Sequence, residues 1–162
     1  MGAVTPPRPL VESDDLAHFD CGRESLNAWF RRHAWGNHVS GVSRVNVIAD
    51  ANSGRIVGYV TLSAAHIERA FLPKPQQRNR PDPVPVTLLG QLAVDGDYQG
   101  QGHAASLLLF ALRTALNASR NVGSMPPRRR CPIHSIFRQV FPPQPLDLLV
   151  RTYWGESSPS PS

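Results

Sequence analysis

The chain is 162 residues long, which fits one domain around a single core and excludes a two-domain enzyme. Apolar residues make up 41% without glycine and about 48% with it, an ordinary globular share that excludes a globally disordered chain. Seventeen basic against 12 acidic residues give a net charge of +5 and a pI near 10.0, a balance that suits a polyanionic partner. Sixteen of the 17 are Arg and Lys74 is the lone lysine; the planar guanidinium fork suits phosphate, although G+C-rich coding also raises Arg.

No apolar run approaches the roughly 18 residues of a membrane span, and Pro6, Pro7 and Pro9 stand where a signal peptide has its apolar core, so a cytoplasmic protein is expected. Cys21 and Cys131 have neither metal-ligand spacing nor the density of a disulfide scaffold, and the six His complete no ligand set; free thiols and no metal are expected.

Residues 1–15 read as an extended lead-in. From Ser25 the apolar positions Leu26, Trp29, Phe30, His33 and Ala34 follow the spacing of an amphipathic helix, ended by Gly36 and Asn37. Val42 to Ala49 and Arg55 to Leu62 are β-branched runs separated by the turn cluster Asp50 to Gly54, a β-hairpin. Leu72 to Pro85 holds five prolines with Lys74, Arg78 and Arg80, which predicts an exposed loop. Val86 to Val94 is the most apolar strand, closing on Asp95. After the turn Gly96 to Gly102, a helix runs from about His103 to Ala118 with Leu107, Leu108, Ala111, Leu112 and Ala115 inward. Past Gly123 the pattern fails: eight of the 16 prolines follow Met125, and neither period holds over any useful length. Residues 1–124 therefore read as the folded domain and 125–162 as a divergent Pro/Arg-rich segment, partly disordered.

Strand, glycine turn and helix form the chemical centre of the sequence. Gly100 and Gly102 let the backbone turn tightly against a ligand, and the helix that follows aims its unpaired amides and positive end at the same place, a geometry that holds phosphate. A Walker A loop needs Gly-Lys-Ser/Thr, and the turn has no Lys. A dinucleotide fingerprint needs an acid about 20 residues on, and no acid lies between Asp97 and Asp147. A plain joining turn is the remaining bland reading.

Gln99, Gly102 and Ala104 fit the Gln/Arg-x-x-Gly-x-Gly/Ala motif of the GNAT acetyltransferases, between an apolar strand and a helix as that family requires. With FDCGRESLNAWFRRHA, GRIVGYVTLS and PVPVTLLGQLAVD-x-x-YQGQGHA-x-x-LL in order, the stretch from Pro9 to Ser124 resembles the toxin branch of that family. The resemblance implies an α/β fold, a mixed sheet that splays after Val94 and is flanked by helices, with acetyl-CoA in the split. By similarity the backbone of Leu92, Ala93 and Val94 pairs with the pantetheine arm. The amides of Gln99, Gly100, Gln101, Gly102, His103 and Ala104 hold the pyrophosphate. No metal is implied. Further implied are aminoacyl-tRNA as substrate, acetylated on its α-amine, an antitoxin with a ribbon-helix-helix domain, and a homodimer. Arg31, Arg32, Arg78 and Arg80 would track the tRNA backbone; on α-helical Arg31 and Arg32 the bland alternative is a solvated face.

The likeness stops after the glycine-turn helix, where the family continues with a fifth strand, a helix and a Phe-Tyr pair whose Tyr is the general acid. Here Met125 to Pro132 carries three prolines and three arginines, SIFRQVFPPQP has no Tyr, and Tyr153 sits in Arg-Thr-Tyr-Trp-Gly. A missing or degenerate fifth strand, no assigned catalytic residue and a weakened activity follow. Two other functions stay open: a non-catalytic module of the same ancestry binding antitoxin or nucleic acid, and an acetyltransferase of small amines or protein N-termini. Glu68 beside His66, the spacing of His33 and His38, the pair Trp29 and Trp35, and Cys21 are assigned no chemistry.

Overall fold

The computed structural model describes residues 3–72 and 74–122. The segment 125–162, with the place of the fifth strand and Tyr153, lies outside the described residues. Strands β1 (Arg8–Pro9), β2 (Arg44–Ala49), β3 (Ile56–Ile67) and β4 (Val84–Val94) form one antiparallel sheet in the order β1-β2-β3-β4. Helices α1 (Glu24–Ser40), α2 (Lys74–Gln77) and α3 (His103–Val122), with two short 3-10 turns at Arg69–Phe71 and Gly96–Tyr98, complete the described elements.

Period-2 alternation sends successive residues of β2 to opposite faces, and each face has its own core. Val45, Val47 and Ala49 join Phe30 and Ala34 of α1, with Phe19, Tyr59 and Ala93. Ile48, Val60, Leu92 and Val94 meet Leu107 and Ala111 of α3 on the other face. The first core is aromatic: the Phe30 and Tyr59 rings stack with centroids 4.2 Å apart, and Phe19 meets both edge-on at 4.9 and 5.4 Å. The β2–β3 register shifts between Ile48 and Ala49, so β3 carries an extra residue there. Gly58 falls in that bulge, where a Cβ would lie 3.1 Å from Leu107 Cδ1 and 3.0 Å from Ala93 O; its bare backbone is what lets α3 pack this close.

The hairpin around Asp50 to Gly54 and the strand ending at Val94 match the sequence reading, and three details differ. Helix α1 runs through Gly36 and Asn37 to Ser40 and stops at Gly41, whose φ of +78° is the left-handed conformation that glycine takes at helix ends. A mid-helix glycine costs only about 1 kcal/mol, which the packing of Phe30 and Ala34 offsets. His33 is exposed, and Asn27 takes a place on the buried stripe instead. Leu72 to Pro85 is not wholly an exposed loop: Leu72 and Val84 are buried, Lys74–Gln77 makes one helical turn, and β4 begins at Val84 rather than Val86. Pro75 sits in the first turn of α2, where its missing N–H costs nothing, and Pro85 lies on β4, an edge strand among those described. Helix α3 continues past Ala118 to Val122.

The joint between α1 and β2 is held by His38, whose Nδ1 accepts the Val45 amide at 3.1 Å while its ring stacks on Trp35. That bond requires the neutral ring. Burial, and then the Arg44 charge, hold its pKa below the ordinary 6.5. Below pH 6.5 the unfolded chain therefore binds a proton that the folded chain refuses, and stability falls with pH through that window. The stability advantage of the wild type over His38→Asn, measured by thermal melting, should be full above pH 6.5 and shrink below it; parallel curves would contradict this role.

Candidate functional site

β4 leads into the site through a bulge. Val60 pairs with Leu92 but Leu62 with Leu89, so Gly90 and Gln91 together oppose Thr61. The Thr61 hydroxyl accepts the Gln91 amide at 2.8 Å and lies 2.9 Å from where a Gly90 Cβ would stand, so only glycine fits. Beyond the bulge the Asp95 amide donates inward to Val57 O at 2.7 Å. Antiparallel alternation then turns the amides of Leu92 and Val94 to the outer edge of β4 and that of Ala93 toward β3. The side chains of all three are buried, Leu92 and Val94 against α3 and Ala93 against α1.

The turn after β4 is fixed by a buried carboxylate. Asp95 is 1% exposed, and both its oxygens accept from Arg55 Nη2 at 3.0 Å. Asp95 also accepts the Asp97 amide at 3.1 Å and the Asp20 amide at 3.2 Å. Gly96 N–H donates to Asp20 O at 2.8 Å, and the Gln99 amide side chain reaches Val94 O at 2.9 Å and Cys21 O at 3.1 Å. The segment 20–22 is itself tied to α1: Asn27 accepts the Cys21 amide at 2.9 Å and donates to Asp20 Oδ1 at 2.7 Å. On the other side Tyr98 donates its hydroxyl to Asp50 at 3.0 Å, and the Arg55 guanidinium lies 6.0 Å from its ring centre. The bond to Asp50 raises the Tyr98 pKa, while the Ser53 and Asn52 amides lower that of Asp50.

On this base the chain makes two left-handed turns, at Gly100 (φ +76°) and Gly102 (φ +85°), and a Cβ at either would meet open space. The first helical bond runs from Ser106 N–H to Gly102 O at 3.1 Å. The amides of Gly100, Gly102, His103 and Ala104 meet no backbone acceptor among the described residues. The Nε2 atom of His103 is buried without a hydrogen-bond partner. Unpaired donors at the positive end of a 20-residue helix, around bare glycines, fit a phosphate group. The Gln99 side chain serves the turn itself, and its amide lies 3.4 Å from Gly96 O.

The four candidate nucleic-acid arginines fall on two elements. Exposed Arg31 and Arg32 are on α1, where Arg31 also pairs with Glu24 at 3.2 Å and donates to Asn27 O. Arg78 and Arg80 lie between α2 and β4. Sequence reasoning missed Asp20, Asn27, Asp50 and Arg55, whose partners are mostly distant in the chain. Among the described residues no three of His, Cys, Asp and Glu stand close enough to hold a metal, and no helix is long and apolar enough to cross a membrane. Burial raises the Cys21 thiol pKa, which leaves it a poor nucleophile.

The bulged strand β4, the glycine turn at its end and the first turns of α3 all lie within the stretch that a family model matches. The family model "Acetyltransferase (GNAT) family" matches residues 11–124, and the chain belongs to this family. It is 38% identical over 123 residues to a tRNA-acetylating toxin of Mycobacterium tuberculosis, covering 76% of this chain and 73% of that one. Its fold is similar to AtaT complexed with acetyl-methionyl-tRNAfMet, at 35% identity and a TM-score of 0.69 over 75% of this chain and 74% of that. It is also similar to an AtaT tyrosine-to-phenylalanine variant bound to the C-terminus of the antitoxin AtaR and acetyl-CoA, at 31% identity and a TM-score of 0.61 over 75% and 71% of the two chains.

Removing Arg55 would leave a buried carboxylate without its counter-charge. Arg55→Met should lose about 3 kcal/mol in urea denaturation, the low end for a broken buried pair because Arg55 is partly exposed. A loss within the noise of a surface substitution would mean that water replaces the guanidinium.

Proposed function

We propose that this chain transfers the acetyl group of acetyl-CoA to the α-amino group of aminoacyl-tRNA, and so blocks translation. The observation that carries the proposal is the junction of the outer edge of β4 with the unpaired amides heading α3. Leu92, Ala93 and Val94 would receive the pantetheine arm like one more strand, through the outward amides of Leu92 and Val94. Gln99, Gly100, Gln101, Gly102, His103 and Ala104 would form the pyrophosphate turn. The relatives named above, which include a tRNA-acetylating toxin and AtaT with an acetylated tRNA, support the choice of acceptor.

In the transfer the amine nitrogen bonds to the thioester carbonyl carbon, the carbon–sulfur bond breaks, the nitrogen sheds a proton and the thiolate takes one up. An α-amine with a pKa at or below about 7.7 to 8.0 is largely neutral near pH 7, so it needs no strong base. The thiolate gains more from a donor, and the described tyrosines are committed elsewhere. Burial raises the Tyr59 pKa, and its hydroxyl lies at 3.0 Å from Gln91 Oε1 and 3.3 Å from Leu26 O; Tyr98 serves Asp50. With no donor assigned among the described residues, the thiolate would take its proton from water, and turnover would run about 10² to 10⁴ below that of an enzyme with a general acid.

Arg31, Arg32, Arg78 and Arg80 would neutralise tRNA phosphates, giving binding that weakens with salt. An antitoxin partner of the ribbon-helix-helix type, a homodimer and a cytoplasmic setting belong to the same proposal, as does residues 1–124 acting as the acetyl-CoA-binding domain with 125–162 as a separate divergent segment. Purified chain incubated with labelled acetyl-CoA and charged tRNA should place label on the α-amine. Uncharged tRNA should take none, and Gly102→Glu, which puts a negative side chain at the phosphate turn, should abolish transfer while its melting curve stays cooperative. Label passing equally to small amines without tRNA would overturn the choice of acceptor.

A further inference from the structure

The arm between β3 and β4 carries a feature that neither the fold nor the acetyl-CoA site explains. Phe71 is 78% exposed, more than any other large apolar side chain among the described residues. It does not sit on a loose loop. The Arg69–Phe71 turn is closed by Phe71 N–H to Glu68 O at 3.0 Å and Leu72 N–H to Arg69 O at 3.1 Å. It is tied across the arm by Arg69 N–H to Asp82 Oδ1 and Arg69 Nη1 to Arg80 O, both 3.1 Å, and by the Gln77 side chain to Leu72 O at 2.7 Å. Leu72 is buried and anchors the turn, so its neighbour Phe71 is held out in water on a braced support.

The arm that carries this ring is basic. Residues 68–83 hold Arg69, Lys74, Arg78 and Arg80 against Glu68 and Asp82. Lys74, Arg78 and Arg80 make no ion pair among the described residues. An exposed aromatic face on an arm that also carries unpaired cations is the chemistry that holds an unpaired nucleotide, the base stacking on the ring and the cations meeting phosphates of the same strand.

The place suits the acceptor side of the reaction. If the pantetheine arm enters along β4 from Val94 and ends near Leu92, the acceptor must come from the opposite end of β4. Val84 stands eight residues away, about 27 Å at the rise of an antiparallel strand, and the arm begins there. We propose that Phe71 is a stacking platform for an unpaired nucleobase of the RNA acceptor, several nucleotides back from the aminoacyl group. This rests on the reading of the acceptor as aminoacyl-tRNA.

The test is binding of dye-labelled tRNA by the full chain, followed by anisotropy, beside a blunt-ended RNA duplex of similar charge. Phe71→Ala should weaken tRNA binding about tenfold, Phe71→Trp should restore it, and neither should alter duplex binding or the salt slope. Lys74→Ala should instead lower the salt slope by about 0.7. Equal binding by Phe71→Ala, or an equal loss on the blunt duplex, would overturn the platform. So would a fall in oligomeric mass with RNA affinity unchanged, which would assign Phe71 to a protein contact. Acetyl transfer run on the same variants separates the two ideas. Transfer without Phe71-dependent binding sinks the platform alone, and Phe71-dependent binding without transfer sinks the acetyltransferase reading alone.

Discussion

The site depends on one buried carboxylate. Asp95 ends β4 with its side chain out of water, where an unpaired charge would be costly, and it is matched by Arg55 from the β2–β3 hairpin and two backbone amides. That set of partners draws three remote pieces of chain together: the hairpin, the segment 20–22 before α1, and the turn that becomes α3. The left-handed glycines and their unpaired amides sit on this base, so the glycine turn is held in one position. Preorganised donors of this kind lose little to reordering when they bind.

The same base couples the two faces of the sheet. Asn27 ties α1 to Asp20 and Cys21, and Gln99 ties Cys21 to the end of β4. A helix bearing exposed arginines on one face is thereby joined, through a few hydrogen bonds, to the glycine turn that leads into the helix on the other. The bulges at Gly58 and Gly90 do complementary work. The first admits α3 against the sheet, and the second turns the edge of β4 just before the residues that would meet the pantetheine arm.

Much of this was legible in the sequence. β-branched runs around Asp50 to Gly54 announced the hairpin, and the apolar run to Val94 with Gly100 and Gly102 after it announced the strand, glycine turn and helix, because those features are local. What escaped notice was non-local. Arg55 and Asp95 are 40 residues apart, and Asp95 reads in sequence only as the end of a strand. Asn27 drew no reading from the sequence, because its role rests on Asp20 folding back onto it. Gly36 looked like a helix end because composition cannot tell a tolerated glycine from one at positive φ; of Gly36 and Gly41, it is Gly41 that takes that conformation. Phe71, which precedes the proline-rich run from Leu72 to Pro85 and drew no reading, owes its exposure to Leu72 being the anchor beside it.

On the proposed function, the turn from Gln99 to Ala104 and the edge of β4 form a working acetyl-CoA site in this chain. Calorimetric titration of the purified protein with acetyl-CoA tests it most directly. The account predicts saturable one-to-one binding in the micromolar range that disappears when Gly102 is replaced by Glu. No heat of binding at millimolar acetyl-CoA, or equal binding by the variant, would contradict it.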